Sequence, residues 1–143
     1  MPAVDLAIFL ATSGHSGVDR VFRNLIPAIA QAGCRVDLLG IAGHGPFLDD
    51  LPAGVRRLEL GARHVTSALP ALTRYLRRER PTVLLTDKDR VNRLALVARA
   101  LSRASTRLAF RQGTMVSVNV ASRGWPDRWL QTLSIRHLYR LAD

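Results

Sequence analysis

Short apolar runs alternate with segments of helical periodicity along this chain of 143 residues. Strands that alternate with helices favour a parallel sheet whose strands are joined by right-handed crossovers. The sequence therefore predicts an α/β fold, with an open parallel sheet that carries helices on both faces and a single domain over residues 1–143. The predicted strands are VDLAIFL (4–10), CRVDLLGIAG (34–43), VRRLELG (55–61), TVLLT (82–86) and RLAFR (107–111).

The helical segments begin near Val18, Thr66, Asp87 and Pro126. Pro27 removes one backbone donor from the first of them and should kink that helix. Apolar residues three and four positions apart define the face that each helix turns to the core. The residues expected on these faces are Val18, Val21, Phe22, Leu25, Ile29, Leu69, Leu72, Leu76, Val91, Leu94, Ala98 and Leu101.

Composition limits how the fold can be stabilised. Hydrophobic residues make up 48% of the chain and charged residues 22%, which is typical of a globular protein and argues against disorder. Cys34 is the single cysteine, so no internal disulfide is possible, and the four histidines lack the spacing of a zinc site. We therefore expect neither a metal nor a cofactor, and packing must hold the fold.

The net charge of +10 comes almost wholly from arginine, since Lys88 is the only lysine. Such a charge favours phosphate-bearing small molecules, anionic lipid surfaces or nucleic acid as partners. The first apolar run carries Asp5 and lacks a basic flank, so it does not have the form of a targeting segment. Because no run approaches the roughly 20 apolar residues of a membrane span, we expect a cytoplasmic protein.

The segment SGHSGVDR (13–20) lies where the first strand turns into the first helix. A helix N-terminus carries unpaired N–H groups and a partial positive charge, and glycine lets a ligand approach the backbone closely. We expect Gly14 and Gly17 to lie at an anion site, where His15 and Ser16 can bond to phosphate or sugar oxygens. The alternative is a turn whose glycines bind no ligand.

Two common phosphate-binding patterns are absent from this loop. It has G-x-x-G in place of the G-x-G-x-x-G of dinucleotide-binding proteins, and it lacks the G-K-[ST] of a P-loop. Asp37 follows about twenty residues later, but it lies inside the second strand and not at its tip, where a ribose-binding acid belongs.

The stretch SGHSGVDRVFRNLIPAIAQAGCRVDLLGI resembles the start of family 4 glycosyltransferases of GT-B architecture. In that family a strand leads into a loop of the type Gly-Gly-x-Glu-Arg, which is followed by a helix with an Asn-Leu pair. Here Gly17 matches the second glycine and Ser16 replaces the first. Asp19 stands for the glutamate and Arg20 for the arginine. The resemblance implies a Rossmann-like sheet, the N-terminal half of a GT-B enzyme.

Later segments are similar to the same family. RPTVLLTDKDRVNRLALVARAL resembles a strand and helix that carry an asparagine, here Asn92, and HLYRLAD resembles a later helix. RLAFRQGT is similar to the next strand, whose tip often carries a histidine in the family. In this chain Arg111 and Gln112 stand at that tip, so a histidine role is not expected there.

The family's second domain, which holds the nucleotide-sugar with a basic pair and two glutamates, is missing from the sequence. The only glutamates are Glu59 and Glu79, which belong to different elements. The resemblance thus implies a truncated acceptor-side domain that is inactive alone and works with a C-terminal GT-B domain in cis or in trans. The implied substrates are a nucleotide-sugar donor of a hexose-type sugar and a glycan or lipid-linked acceptor.

The resemblance also implies roles for individual residues. The loop of Gly14, His15, Ser16 and Gly17 would hold the donor diphosphate or the reacting sugar. Asp19 and Arg20 start the helix, with capping and solvation as their alternative roles. An acidic helix start is likewise the alternative for Asp87. The candidates for the acceptor cleft are His44, Asp87, Lys88, Asn92, Arg111 and Gln112.

The last segment, RGWPDRWLQTLSIRHLYRL (123–141), supports a different hypothesis. Its two tryptophans and its arginines suit the headgroup region of an anionic membrane, which predicts peripheral contact with the inner face of the cell membrane. Its leucines can equally pack on the sheet. A non-catalytic basic module that binds an anionic polymer or membrane surface is therefore the alternative function. Nucleic acid is not expected, because aromatic residues make up only 6% and no stacking platform is visible.

Overall fold

The structure is a computed structural model that describes residues 3–111. Its strands are β1 (Leu6–Phe9), β2 (Val36–Gly40), β3 (Val55–Glu59), β4 (Val83–Asp87) and β5 (Arg107–Arg111). They form one sheet in the order β3-β2-β1-β4-β5, in which every neighbouring pair is parallel. Four of the strands lie inside the predicted runs and β4 ends one residue beyond its run, because short apolar runs flanked by turn residues favour buried strands.

The helices are α1 (Gly17–Gln31), α2 (Leu69–Glu79) and α3 (Asp89–Ser102). The helix α1 covers one face of the sheet, whereas α2 and α3 pack side by side on the other. This arrangement confirms the predicted α/β fold with helices on both faces. No helix within residues 3–111 combines the length and the hydrophobicity that crossing a membrane requires.

Alternate residues of the strands supply two separate layers of core. In β1, Ile8 points towards Phe22 and Ile26 of α1, while Ala7 and Phe9 point into the layer beneath α2 and α3. Side chains in a strand alternate between the faces of the sheet, so a continuous apolar run buries both. These five side chains are fully buried, and they fix the position of the strand from which the candidate site extends.

Three apolar residues expected in the core lie at the surface. Val21 and Leu25 of α1 are 49% and 40% exposed, and Leu101 of α3 is 54% exposed. The buried stripe of α1 is centred on Phe22 and Ile26, four residues apart, so their N-terminal neighbours lie about 100° away around the helix. The helix also continues past Pro27 to Gln31.

Asp37 is a buried carboxylate inside the layer beneath α2. Nε and Nη2 of Arg56 donate to its two oxygens over 2.9 and 2.8 Å, and the Tyr75 hydroxyl donates to one of them over 2.7 Å. The Asp37 bond and a second bond to Glu79 raise the pKa of Arg56 above its usual range. Burial, followed by the bond to Asp37, raises the pKa of Tyr75. Asp37 therefore joins β2, β3 and α2, and it does not lie at a strand tip.

Candidate functional site

The chain leaves β1 and β4 on opposite faces of the sheet. From β1 it passes through α1 to β2, and from β4 it passes through α3 to β5. In an open parallel sheet such a divergence leaves a crevice at the carboxyl ends of the strands, where ligands bind. Phe9 pairs with Thr86 near these ends, so the loops after β1 and β4 begin side by side. The crevice between these loops is the candidate site.

Two non-glycine residues at the crevice have positive φ. Ala11, two residues after β1, has φ 49°, and Lys88, directly after β4, has φ 72° and ψ 141°. A left-handed backbone costs about 1–2 kcal/mol in a residue with a Cβ atom, and such strain concentrates at functional sites. Both strand ends beside the crevice are thus held in conformations that local sequence does not favour.

Asp19 organises the loop after β1 from within. Its side chain is fully buried, and one of its oxygens accepts a hydrogen bond from the Thr12 hydroxyl. The other oxygen accepts from the backbone N–H of Ser16 over 2.8 Å and from the Ser16 hydroxyl. Ser16 is also the N-cap of α1, since its Oγ accepts from the N–H of Asp19 over 3.3 Å. This capping box joins the helix start to the preceding loop.

The pKa of Asp19 reflects these contacts. Burial is the largest single influence and would raise it, but four hydrogen bonds together outweigh burial. The donors are the side chains of Ser16 and Thr12 and the backbone N–H groups of Ser16 and Gly14. The pKa of Asp19 therefore lies below its ordinary value, because bonds to the ionised form favour that form.

The loop after β2 is fixed to the loop after β1. The N–H of Gly45 donates to the Thr12 carbonyl over 2.9 Å, and the N–H of Thr12 donates back over 3.3 Å. A Cβ atom at Gly45 would lie 2.6 Å from Gly14 Cα and 2.8 Å from an Asp19 oxygen, so only glycine fits there. His44 precedes Gly45, which places it beside the glycine loop as one of the half-buried residues of this region.

The two glycines of the predicted anion site have different surroundings. Gly14 is buried, has φ 88° and lies against the Phe47 ring. Its carbonyl accepts from Arg23 Nη2 over 2.7 Å, and its N–H is bound to Asp19. By contrast, Gly17 is exposed, and within residues 3–111 a Cβ atom added to it would meet nothing within 4 Å. Packing explains the glycine at position 14, whereas no contact among these described residues requires a glycine at position 17.

A Gly14→Ala variant should lose about 2 kcal/mol of unfolding free energy. Its Cβ atom would require a left-handed backbone and would displace the Phe47 ring, which is 40% exposed and can move aside. Chemical denaturation measures the loss. The matched control is Gly43→Ala, because Gly43 has φ 74° but no atom of residues 3–111 lies within 4 Å of its Cβ position, so this variant should lose only about 1 kcal/mol. Equal losses at both positions would show that Phe47 does not constrain Gly14.

Asp87 and Arg111 end two adjacent strands and lie opposite each other in register. Asp87 is 2% exposed, and its Oδ2 lies 3.5 Å from Arg111 Nη1. Its other oxygen has no hydrogen-bond partner among residues 3–111. Lys88 follows with an exposed side chain. The structure thus brings three of the predicted acceptor residues to the carboxyl ends of β4 and β5.

The remaining predicted residues divide between surface and interior. His15 and Arg20 are exposed on the glycine loop and the first turn of α1. Asn92 is fully buried, and its side-chain oxygen accepts from the Thr86 hydroxyl over 2.7 Å. It therefore lies beneath the end of β4 and not at the surface of the crevice. Gln112 and the 123–141 segment predicted to contact a membrane lie outside the described residues.

Three residues that hold the glycine loop are absent from the sequence-based predictions. Thr12 bonds to Asp19, Arg23 bonds to the Gly14 carbonyl, and Phe47 covers Gly14. Arg57 in turn lies over the Phe47 ring, with its guanidinium carbon 5.5 Å from the ring centroid. Of these three residues, only Thr12 could have been selected from the sequence, as a hydroxyl residue at the end of a predicted strand. The roles of Arg23 and Phe47 depend on contacts between distant segments, which the sequence does not show.

A cavity of about 250 Å³ lies away from this crevice, between β3 and α2. Tyr75 and Glu79, which line it, already bind the Asp37 and Arg56 pair. None of the predicted site residues within 3–111 lines this cavity. Within residues 3–111, no cluster of three or more His, Cys, Asp or Glu side chains is arranged to hold a metal ion.

An open parallel sheet with a capped helix start at its topological switch point defines a Rossmann-like domain. Comparison with protein families narrows this class. The glycosyl transferase 4-like domain matches residues 16–143, and the chain belongs to this family. The match confirms the resemblance to the N-terminal domain of family 4 glycosyltransferases and supports a transferase function. It includes Gly17, Asp19 and Arg20 but begins after Gly14 and His15. Among curated proteins, no relative matches the chain.

Proposed function

We propose that this chain is the acceptor-side domain of a nucleotide-sugar-dependent glycosyltransferase. It contributes one wall of a cleft in which a hexose-type sugar is transferred to a glycan or lipid-linked acceptor. A C-terminal GT-B domain, in cis or in trans, supplies the groups that hold the nucleotide, so the domain alone has negligible turnover. Membership of the glycosyl transferase 4-like family supports the class of reaction.

The open start of α1 is the observation that carries this proposal. In an α-helix the first N–H groups have no acceptor within the helix. Here the N–H of Asp19 is bound to the Ser16 hydroxyl and that of Arg20 to the Ser16 carbonyl. In the part of the chain that the structure describes, the N–H groups of Gly17 and Val18 are then the ones left for a ligand, and no atom lies within 4 Å of the Cβ position of Gly17.

These amides suit the chemistry of sugar transfer. Breaking the bond between a sugar and a nucleoside diphosphate leaves negative charge on the diphosphate, and fixed N–H dipoles stabilise that charge as it develops. The helix start adds a partial positive charge of about half a unit. Asp19 does not compete with the ligand for these two amides, because its oxygens already accept hydrogen bonds from Thr12 and Ser16. The capping box holds the amides in place before the ligand arrives.

Pyrophosphate binding to the ¹⁵N-labelled chain tests this role. Inorganic pyrophosphate should shift the amide signals of Gly17 and Val18 more than those of other helix residues. Gly17→Val should weaken that binding by about 10-fold, because its side chain blocks the approach to the backbone. Gly17→Ala should weaken it less, and neither substitution should lower stability by more than about 0.5 kcal/mol, since the Cβ position is open.

The matched control for this test is Arg63→Ala, which removes one exposed positive charge from another part of the surface. It should leave pyrophosphate binding unchanged. If Arg63→Ala weakens binding as much as Gly17→Val does, the anion responds to net charge and not to the helix start. Full binding by Gly17→Val would also contradict the proposal.

A further inference from the structure

Asp87 differs in its bonding from two other buried carboxylates, Asp37 and Asp19. Asp37 has both oxygens bonded, by Arg56 and Tyr75, and Asp19 also has both oxygens bonded. Asp87 is equally buried, but its Oδ1 has no partner among residues 3–111 and its Oδ2 has only the 3.5 Å contact with Arg111. A buried acceptor without a donor costs free energy of about 1–3 kcal/mol, and more when it is charged. The Asp87 carboxylate at the end of β4 therefore destabilises the folded chain as long as no donor binds to its Oδ1.

The end of β4 is held firmly around this carboxylate. The preceding residue, Thr86, is buried and donates to Asn92, which also bonds through its N–H to the Lys88 carbonyl over 2.9 Å. Lys88 itself has φ 72°, a strained value for a residue with a Cβ atom. The backbone around Asp87 is therefore fixed at the switch point by the contacts of its neighbours.

The partner that Asp87 Oδ1 lacks is a hydrogen-bond donor. The charges around Asp87 indicate whether that donor is charged or neutral. Arg111 lies beside Asp87, Lys88 follows it, and the chain carries a net charge of +10. These charges disfavour an ammonium group or a metal cation as the partner. A hydroxyl group supplies a donor without adding positive charge.

We propose that Asp87 is a substrate-binding residue whose Oδ1 accepts a hydrogen bond from a hydroxyl group of a saccharide, while Arg111 holds Oδ2. The inference deepens the proposed function by assigning the saccharide hydroxyl to this residue, and it rests on that function. It places the hydroxyl at the carboxyl end of β4, next to the loop whose amides receive the diphosphate.

Thermal unfolding of two variants separates binding from structure. Asp87→Asn should leave the melting temperature unchanged or raise it, because it removes a buried charge whose bonding is incomplete. The matched control is Asp37→Asn, since Asp37 is also buried but both of its oxygens accept hydrogen bonds, from Arg56 and Tyr75. That control should melt roughly 5 °C lower. A loss at Asp87 as large as at Asp37 would assign Asp87 a structural role and overturn the inference.

Saccharide binding supplies the second measurement. Methyl α-glucopyranoside should shift the amide signals at 87–89 of the ¹⁵N-labelled chain, and Asp87→Asn should weaken its binding about 10-fold. Glucosamine, studied below the pKa of its amine, should bind more weakly than the methyl glycoside. Stronger binding of glucosamine, or unchanged binding of the glycoside by Asp87→Asn, would overturn the inference.

The two proposals fail in different ways. Pyrophosphate should still shift Gly17 and Val18 in Asp87→Asn, because the helix start is intact in that variant. If pyrophosphate shifts neither signal in the unaltered chain while the saccharide response depends on Asp87, the proposed function fails and the hydroxyl site stands. The reverse pattern rejects the hydroxyl site alone.

Discussion

An Asp19→Ala variant should lose about 3–5 kcal/mol of unfolding free energy and should no longer bind pyrophosphate at the start of α1. The Asp19 carboxylate is fully buried and accepts hydrogen bonds from Thr12, from Ser16 and from the N–H of Gly14. Removing it leaves several buried donors without an acceptor at once. Chemical denaturation measures the first effect, and the amide signals of Gly17 and Val18 report the second.

The dependence of this stability on pH provides a separate check. Because the pKa of Asp19 is lowered in the folded state, its contribution is complete above the ordinary aspartate pKa. It is lost as the pH falls through the lowered value of the folded state. An Asp19→Asn variant should therefore lose less stability on acidification than the unaltered chain. An identical acid dependence in both would show that Asp19 carries no such contribution.

Ser16→Ala is the matched control for the loop. It removes the N-cap hydroxyl and should cost about 1 kcal/mol, but it leaves Asp19 bound to Thr12 and to the Ser16 N–H. If Ser16→Ala were as destabilising as Asp19→Ala, the helix cap alone would account for the stability of the loop. The difference between the two variants thus measures what the buried carboxylate contributes beyond capping.

An Asp37→Ala variant should lose about 3–4 kcal/mol, a fall of roughly 10 °C in melting temperature. Both Asp37 oxygens are bonded, and the substitution leaves the buried Tyr75 hydroxyl without its acceptor. This loss of unfolding free energy lies near the lower end of the range for breaking a buried salt bridge. The reason is that the Arg56 side chain is 52% exposed, so water can solvate its charge when Asp37 is removed. Thermal unfolding followed by circular dichroism measures the change.

Tyr75→Phe serves as the control for Asp37, since it removes only the hydroxyl and should cost about 1 kcal/mol. The double variant should lose less than the sum of the two single losses, because both remove the bond between Tyr75 and Asp37. Strict additivity would contradict the coupling that the 2.7 Å contact implies. Neither substitution touches the crevice, so pyrophosphate binding should persist at temperatures where the variants remain folded.

Part of the candidate site followed from the sequence. The topology of an alternating α/β chain places the loop after β1 and the end of β4 at one edge of the sheet, so the residues at 14–17 and 87–88 were predictable as neighbours of a crevice. Asn92 was also selected from the sequence, but the structure buries it beneath Thr86. Helical periodicity gives the face on which a residue lies, but it does not give the depth at which the next layer covers it.

The sequence by itself determined the five strands and the three long helices within residues 3–111, their order along the chain and the family, because apolar periodicity and helix capping act over a few residues at a time. The helix predicted to begin near Pro126 lies outside the described residues and stays a prediction. Only the tertiary structure distinguished Gly14, which lies under Phe47, from Gly17, which is open to a ligand. It likewise showed that one oxygen of Asp87 lacks the donor that both oxygens of Asp37 possess. These differences depend on which distant segments come into contact, and that depends on the packing of the whole sheet and not on any local pattern.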